Sequence, residues 1–303
     1  MIKNQRFLVL VVGPTAVGKS ELCLNLAKKF QTEIVSCDSR QFYRELHLGT
    51  AKPSPEEMEE VPHHFIDSLS IEDAYDVRKF EQEALLVLER LFASKKVVVM
   101  AGGSGLYAQA VVHGLDEVPS SDPQMRKEII TSYEVMGLEW LQSEVERVDP
   151  EFFDRVDRNN PQRLMRALEV FRCSGLKFSS FRIKNKVHRP FQTLKIGLDL
   201  PREELYHRID QRMENMLSRG LFEEARSLFD KRHLNALQTL GYTEIFGFLE
   251  GKYDKEEMFR LLKRNSRRYA KRQLTWFRKD NQITWFHPSQ EEDILHYLIS
   301  QMA

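Results

Sequence analysis

The sequence predicts an α/β fold: a parallel sheet flanked by helices, carrying a mainly helical insertion. Three observations predict it. FLVLVV (7–12) is a continuous apolar run that stops at a glycine loop, as a strand buried on both faces of a parallel sheet does. GPTAVGKS (13–20) fits the phosphate-loop spacing G-x-x-x-x-G-K-[ST], with Gly13, Gly18, Lys19 and Ser20 at the fixed places. Further apolar strands, EIVSCD (33–38) and KVVVMAGG (96–103), alternate with helical patterns, the signature of crossover connections in a parallel sheet.

Lys3 and Arg6 precede the first strand and faintly resemble a signal peptide, but the apolar run is too short and ends at Gly13-Pro14. After the loop, Leu22, Leu26 and Phe30 follow at helical spacing. The loop therefore lies between strand and helix in a P-loop NTPase-like arrangement. Its amides and the helix N-terminus attract phosphate oxygens. Lys19 adds a positive charge, and the Ser20 hydroxyl suits Mg2+. The second strand ends in Asp38, a carboxylate on the same crevice. It is placed to hold a metal, to act as general base or to cap a helix. A helix around 76–93 leads to the third strand, which ends in Gly102-Gly103-Ser104 where an ATPase would carry an acid. Glycines there admit a substrate or another backbone. Ser104 offers a hydroxyl and Tyr107 a pocket wall. Gly13, Asp38 and Gly102 all follow strand carboxyl ends, where such sheets bind ligands.

Beyond about residue 116 the texture changes. Residues 116–158 hold twelve Asp/Glu against five Lys/Arg, in helical patterns at 122–136, 138–147 and 151–156. Asn160-Pro161 starts another helix, with Leu164, Leu168 and Phe171 as its stripe and Gly175 as its end. Gln162, Arg163 and Arg166 lie off that stripe, as a solvated face or as contacts to nucleic acid. The segment 176–190 reads as a loop or hairpin bearing Lys177, Arg182, Lys184, Lys186 and Arg189. A strand at 193–200 follows, then a helix with Leu205, Ile209, Met213 and Met216 in register. The domains are therefore a core of 1–116 and 191–303 and a helical insertion of 117–190.

The run 263–279 has eight basic residues and no acid, with Tyr269, Trp276 and Phe277 interleaved. Ala270, Leu274, Trp276 and Phe277 are expected to bury one side. Arg264, Arg268 and Arg272 line another, as a solvated face or a phosphate contact. His63-His64 near Asp67 is a weak ligand set for a metal.

The 303-residue chain is long enough for a sizeable core, and 42% hydrophobic with 30% charged residues is ordinary globular composition. Zero formal net charge gives no indication of nucleic acid by itself. Cys23, Cys37 and Cys173 are too few and too far apart for a disulfide framework or a cysteine zinc site, so reduced thiols and a cytoplasmic location are expected. No apolar stretch reaches membrane-spanning length.

Taken together, GPTAVGKS, DSRQFYRELHLGTAKPSPEE, VPHHFID, GGSGLY, NNPQRLMRALEV, LQTLGYTEIFGFLEG and KRQLTWFRKD resemble, in order and spacing, the tRNA dimethylallyltransferases (tRNA isopentenyltransferases), in their compact bacterial form. The resemblance implies transfer of a dimethylallyl group from dimethylallyl diphosphate to N6 of adenosine 37, in tRNAs reading codons that start with U. Diphosphate is released and Mg2+ is required. It implies that Asp38 takes the N6 proton. Gly13, Pro14, Thr15, Ala16, Val17, Gly18, Lys19 and Ser20 would hold the donor, with Mg2+ on Ser20 and Asp38 able to assist. Thr15 and Lys19 would take part in catalysis. Arg212, on the helix after the insertion, is expected to clamp the diphosphate. tRNA contacts are implied for Asp38, Ser39, Arg40, Gln41, Ser104, Arg126, Gln162, Arg163, Leu164, Met165 and Arg166. The insertion would grip the anticodon stem-loop, with the 177–189 loop, Arg126 and Lys127 facing RNA and its acids pointing outward. A monomer without membrane or obligate protein partner is expected. The alternatives are a nucleoside or nucleotide kinase with ATP on the loop, an isopentenyltransferase acting on free adenine nucleotides, and a nucleic-acid-binding module with a vestigial loop.

Overall fold

In the computed structural model, residues 5–120, 122–182 and 187–303 are described; Lys184 and Lys186 of the basic loop lie outside them. The chain forms two compact units. One comprises the residues up to His113 and from His188 onward, the other Gly114–Val187. The sequence pattern puts the insertion's ends at 117 and 190, three residues later at each junction.

The larger unit begins with β1 (Phe7–Val12), α1 (Lys19–Lys29), β2 (Ile34–Ser36), α2 (Pro55–Glu60), β3 (His63–His64), α3 (Val77–Phe92), β4 (Val97–Ala101) and α4 (Gly105–His113). The smaller unit contributes α5 (Pro123–Val148), α6 (Pro150–Phe153) and α7 (Pro161–Ser174). The chain then returns through β5 (Gln192–Leu198), α8 (Arg202–Ser218), α9 (Leu221–Ser227), α10 (Tyr242–Leu249), α11 (Lys255–Phe277), β6 (Thr284–Phe286) and α12 (Glu291–Met302).

All strand pairs of the six-stranded sheet are parallel, in the order β3-β2-β4-β1-β5-β6. The two faces explain why β1 is apolar throughout. Phe7, Val9 and Val11 pack in one core with residues of α1, α8 and α12, whereas Leu8, Leu10 and Val12 pack in another with α3 and α4. Successive side chains of a strand point to opposite faces, so a strand covered on both sides shows no alternation. The short edge strands β3 and β6 are not foreseen by the sequence. They have two and three residues, all half-buried, too few to give a periodic signal.

The strand order sets β4 between β1 and β2. The segments leaving the carboxyl ends of these three strands are therefore neighbours. They approach so closely that side chains are excluded. A Cβ on Gly102 would lie 2.6 Å from the Cys37 carbonyl carbon, and one on Gly103 would lie 2.2 Å from Gln273 Nε2. At Gly105 it would meet the Trp276 ring at 2.2 Å. The glycines after β4 thus admit neighbouring protein atoms, and Gly102 and Gly103 also line the main cavity.

In the smaller unit, the two helical patterns join into one helix that breaks at Gly137, where φ is 78°. Asn160 caps α7 by accepting from the Arg163 N–H at 3.3 Å, and Gly175 ends it at φ 71°. The core of the unit includes Ile129, Leu141, Val145, Phe152, Leu164 and Leu168. Buried Asp149 accepts from the Phe152 and Ser179 N–H groups, tying α6 to the segment after α7. The 176–190 segment contains a single 3-10 turn at Phe178–Phe181 and no hairpin among its described residues. Among the described residues, no helix is long and apolar enough to cross a membrane.

The two kinds of glycine are expected to differ on substitution. Gly102→Ala forces a methyl group into the Cys37 backbone and should cost about 3 kcal/mol, the upper range for overpacking. Gly175→Ala meets nothing within 4 Å and should cost about 1 kcal/mol for its left-handed backbone. Denaturant midpoints compare them, and equal losses would contradict the packing account.

Candidate active site

A cavity of about 730 Å³ lies at the carboxyl ends of β1, β2 and β4. Thr15, Ala16, Val17, Gly18, Lys19 and Ser20 line one side of it. The loop bends through Ala16 at φ 65°, a conformation that non-glycine residues seldom adopt. It then feeds directly into α1, whose first amides have no intrahelical acceptor. Gly13 and Pro14 do not line the cavity. Their carbonyls accept from Lys19 Nζ, at 3.1 and 2.7 Å, which folds the ammonium back under the loop. Burial, and secondly the Arg212 guanidinium, bring the Lys19 pKa down to about 8, against an upward pull from Asp38. Arg212 on α8 lines the same cavity and is itself held below its usual range by burial, partly offset by Asp38. The expected clamp thus stands close enough to Lys19 for two cations to repel each other, an arrangement that an anion would relieve.

Asp38 follows β2 and lines the cavity. Its Oδ1 accepts from the Arg40 N–H at 3.0 Å, and no helix starts here. This turn, not a helix cap, fixes the carboxylate. Ser39 and Arg40 also line the cavity, and Arg40 anchors on the Asn235 and Ala236 carbonyls at 3.0 and 3.2 Å. The Gln41 side chain is engaged within the protein. Its Oε1 accepts from the Ser36 hydroxyl at 2.9 Å, and its Nε2 donates to the Thr50 and Ala51 carbonyls at 3.4 and 3.2 Å.

Two residues expected at the site, Ser104 for its hydroxyl and Tyr107 as a pocket wall, do not line the cavity. The Ser104 hydroxyl accepts from the Ser39 N–H and donates to the Ser39 hydroxyl, both at 3.0 Å. Ser104 thereby holds the turn that carries Asp38. Tyr107 packs on the Phe42 and Phe80 rings.

Helix α11 closes the site with a residue that the sequence reading misses. Gln273 is buried, accepts from the Thr15 N–H at 2.9 Å and donates to the Gly103 carbonyl at 2.9 Å. Its place at helical spacing from Ala270 and Phe277, inside the buried stripe, was the available signal. Leu274 and Trp276 are only partly buried. Tyr269 and Arg272 line the cavity, as does Arg208, one turn before Arg212 and bonded to Glu204 at 2.9 Å. Of the other basic residues in this run, Lys263 pairs with Glu214, Arg267 with Asp210 and Arg278 with Asp199.

The remaining expected RNA contacts lie in the smaller unit. Arg126 donates to Gln162 Oε1, and Arg126 and Arg166 flank the buried carboxylate of Glu169 at 3.7 and 3.1 Å. Arg166 also donates to the Pro119 carbonyl at 2.6 Å. Gln162 and Arg163 are exposed. Leu164 and Met165 are corrections: at 0% and 2% exposure their side chains belong to the unit's core. Most acids of the unit are exposed, Asp149 and Glu169 being buried. Arg189, of the basic loop, is spent on Glu81 and on the Ala110 and Val111 carbonyls.

The donor set for a metal is thin. Among the described residues no group of three or more His, Cys, Asp or Glu could hold an ion. His64 bonds to Glu33 at 2.7 Å and His63 to the Val61 carbonyl at 2.7 Å. One hydroxyl and one carboxylate, from Ser20 and Asp38, fit an ion held mainly by ligand phosphates and water, the usual manner of Mg2+.

A family model described as IPP transferase matches residues 41–280. A tRNA dimethylallyltransferase of Cytophaga hutchinsonii is 50% identical, covering 98% of both chains. A tRNA dimethylallyltransferase 1 of Bacteroides thetaiotaomicron is 45% identical over 96% of this chain and 94% of its own. The crystal structure of a tRNA isopentenylpyrophosphate transferase from Bacillus halodurans superposes with a TM-score of 0.73 at 35% identity, covering 98% of this chain and 96% of its own. A eukaryotic dimethylallyltransferase acting on tRNA does so with a TM-score of 0.73 at 27% identity, over 90% of this chain and 70% of its own.

The depressed Lys19 gives a pH dependence. An anion on the loop favours the charged ammonium, and that form declines as pH rises through about 8. Affinity for inorganic diphosphate should therefore weaken above pH 8, approaching about tenfold per unit. A Lys19→Arg variant stays charged and should hold its affinity between pH 8 and 9. The same decline in both proteins, read by calorimetry, would show that another group titrates.

Proposed function

The chain belongs to the IPP transferase family, and from that premise we propose that it transfers a dimethylallyl group from dimethylallyl diphosphate to N6 of adenosine 37 in tRNAs reading codons that start with U. One observation carries the reading. A phosphate loop, five cationic side chains and the turn-held Asp38 carboxylate converge on one cavity, and β4 is followed by Gly102 where a phosphoryl-transfer enzyme would place an acid.

The exocyclic amine of adenine is a weak nucleophile, since its lone pair is delocalised into the ring. Asp38 orients it and accepts its proton as the bond from N6 to the allylic C1 forms. The C1–O bond breaks and both its electrons leave with the diphosphate. Loop amides, Lys19 and Arg212 take up the charge that develops there, with Thr15 beside the donor. Ser20, with Asp38, would hold Mg2+, which when bound supplies further neutralisation of the diphosphate. The base leaves its stack to reach the cavity, at a cost of roughly a few kcal/mol. Ser39, Arg40 and the backbone at Gln41 receive it, and Ser104 acts through Ser39. Arg126, Gln162, Arg163 and Arg166 bind the stem-loop, with Leu164 and Met165 packing beneath them. The reading carries action as a monomer in the cytoplasm, where tRNA is processed.

The test is transfer of label from dimethylallyl diphosphate in the presence of Mg2+. Unmodified tRNA should be labelled and AMP should not. Labelling of AMP alone would establish a free-nucleotide enzyme, and phosphoryl transfer from ATP without prenyl transfer would establish a kinase. Asp38→Ala should lower kcat by about 10²–10⁴-fold, with tRNA affinity changed less than about threefold. Near-normal turnover in that variant would remove Asp38 from the role of base.

A further inference from the structure

Beside the main cavity lies a second lobe of about 40 Å³. Thr15, Ala16, Gly49, Arg212 and Leu240 line both spaces, so the lobe adjoins the phosphate loop on the Arg212 side. Its wall is apolar: Ile209, Met213 and Met216 of α8, Leu221 at the start of α9, and Leu240. Apart from Leu240, these side chains are at most 9% exposed. The one hydroxyl deeper in, that of Ser266, donates to the Leu262 carbonyl at 2.7 Å and presents no unmet polar group. Water entering such a lobe finds few partners.

The lobe therefore suits a molecule with an anionic head and a short apolar tail. The same helix serves both ends. Arg212 and Met216 are four residues apart and so share a face of α8. The size of the lobe is selective. A water-sized group takes roughly 10–15 Å³ on this measure, so 40 Å³ admits about three such groups. That matches the branched end of a five-carbon chain and leaves no room for ten carbons.

We propose that this lobe receives the prenyl tail of the donor, and that Met216, which lines it together with Leu221, sets the chain length accepted. The inference rests on the reading of the main cavity as a prenyl-transfer site. It adds a specificity determinant that takes no part in the chemistry.

The experiment compares kcat/KM for dimethylallyl diphosphate with that for its ten-carbon homologue, geranyl diphosphate, using tRNA as acceptor. Met216→Ala should raise the geranyl-to-dimethylallyl ratio by about tenfold or more. Met216→Leu, of similar volume, should keep the wild-type ratio. Met216→Phe, which fills the lobe, should lower kcat/KM for dimethylallyl diphosphate about tenfold while leaving the affinity for tail-less inorganic diphosphate unchanged. A ratio that does not move in Met216→Ala, or loss of inorganic diphosphate binding in Met216→Phe, would overturn the proposal. Absence of any prenyl transfer by the wild-type chain would instead overturn the reading of the main cavity.

Discussion

The site depends on one buried amide. Gln273 receives a hydrogen bond from the Thr15 N–H in the phosphate loop and gives one to the Gly103 carbonyl after β4. These two segments leave adjacent parallel strands and have no ladder to hold them together beyond the sheet. Gln273 supplies the missing link, and it can do so only because Gly103 has no side chain to obstruct it. Each backbone group would carry a desolvation cost of about 1–3 kcal/mol if it were left unpaired at this depth. The bridge thus fixes the loop at the position where α11 presents Tyr269 and Arg272 to the cavity. One helix thus both holds the loop and supplies part of the cavity wall.

Electrostatics follow from that geometry. Lys19 is folded under the loop on two carbonyls, and Arg212 stands near enough to lower its pKa. Lys19, Arg40, Arg208, Arg212 and Arg272 line the cavity against the carboxylates of Glu21, Asp38 and Glu57, which leaves the site short of negative charge until an anion arrives. In the proposed reaction a leaving diphosphate would meet that need as its charge grows, and the adenine amine, which becomes more acidic, would meet Asp38. The cavity therefore suits separating a diphosphate from an allylic carbon, whereas holding a phosphoryl group in transit would call for an additional acid at the end of β4. The chain's zero net charge conceals this local imbalance.

The fold was legible because its strongest signals are local. The β1 run, the loop spacing and the caps at Asn160 and Gly175 each follow from short-range sterics and hydrogen bonding. The short strands β3 and β6 were not, since pairing of two or three half-buried residues depends on the sheet already being present. At the site, Lys19 and Asp38 could be read from motif and strand position, whereas Arg212 was expected only from its helix after the insertion. Gln273 could not, because a polar residue inside an apolar stripe is explained only by the partners that the fold brings to it. Leu164 and Met165 went the other way. A motif that marks a helix for RNA contact includes the residues that pack that helix down, and the period of α7 assigns these two to its core. Ser104 likewise bonds the Asp38 turn through Ser39, and Tyr107 packs on the Phe42 and Phe80 rings.

The central claim is that one cavity holds the leaving diphosphate against the phosphate loop while the acceptor amine meets Asp38. A crystal structure of the protein with inorganic diphosphate and an anticodon stem-loop RNA tests it most directly. The account requires the diphosphate within hydrogen-bond reach of the loop amides, Lys19 and Arg212, and N6 of an unstacked adenine about 3 Å from an Asp38 oxygen. A diphosphate bound elsewhere, or an adenine whose N6 faces away from Asp38 while the RNA is fully seated, would contradict it.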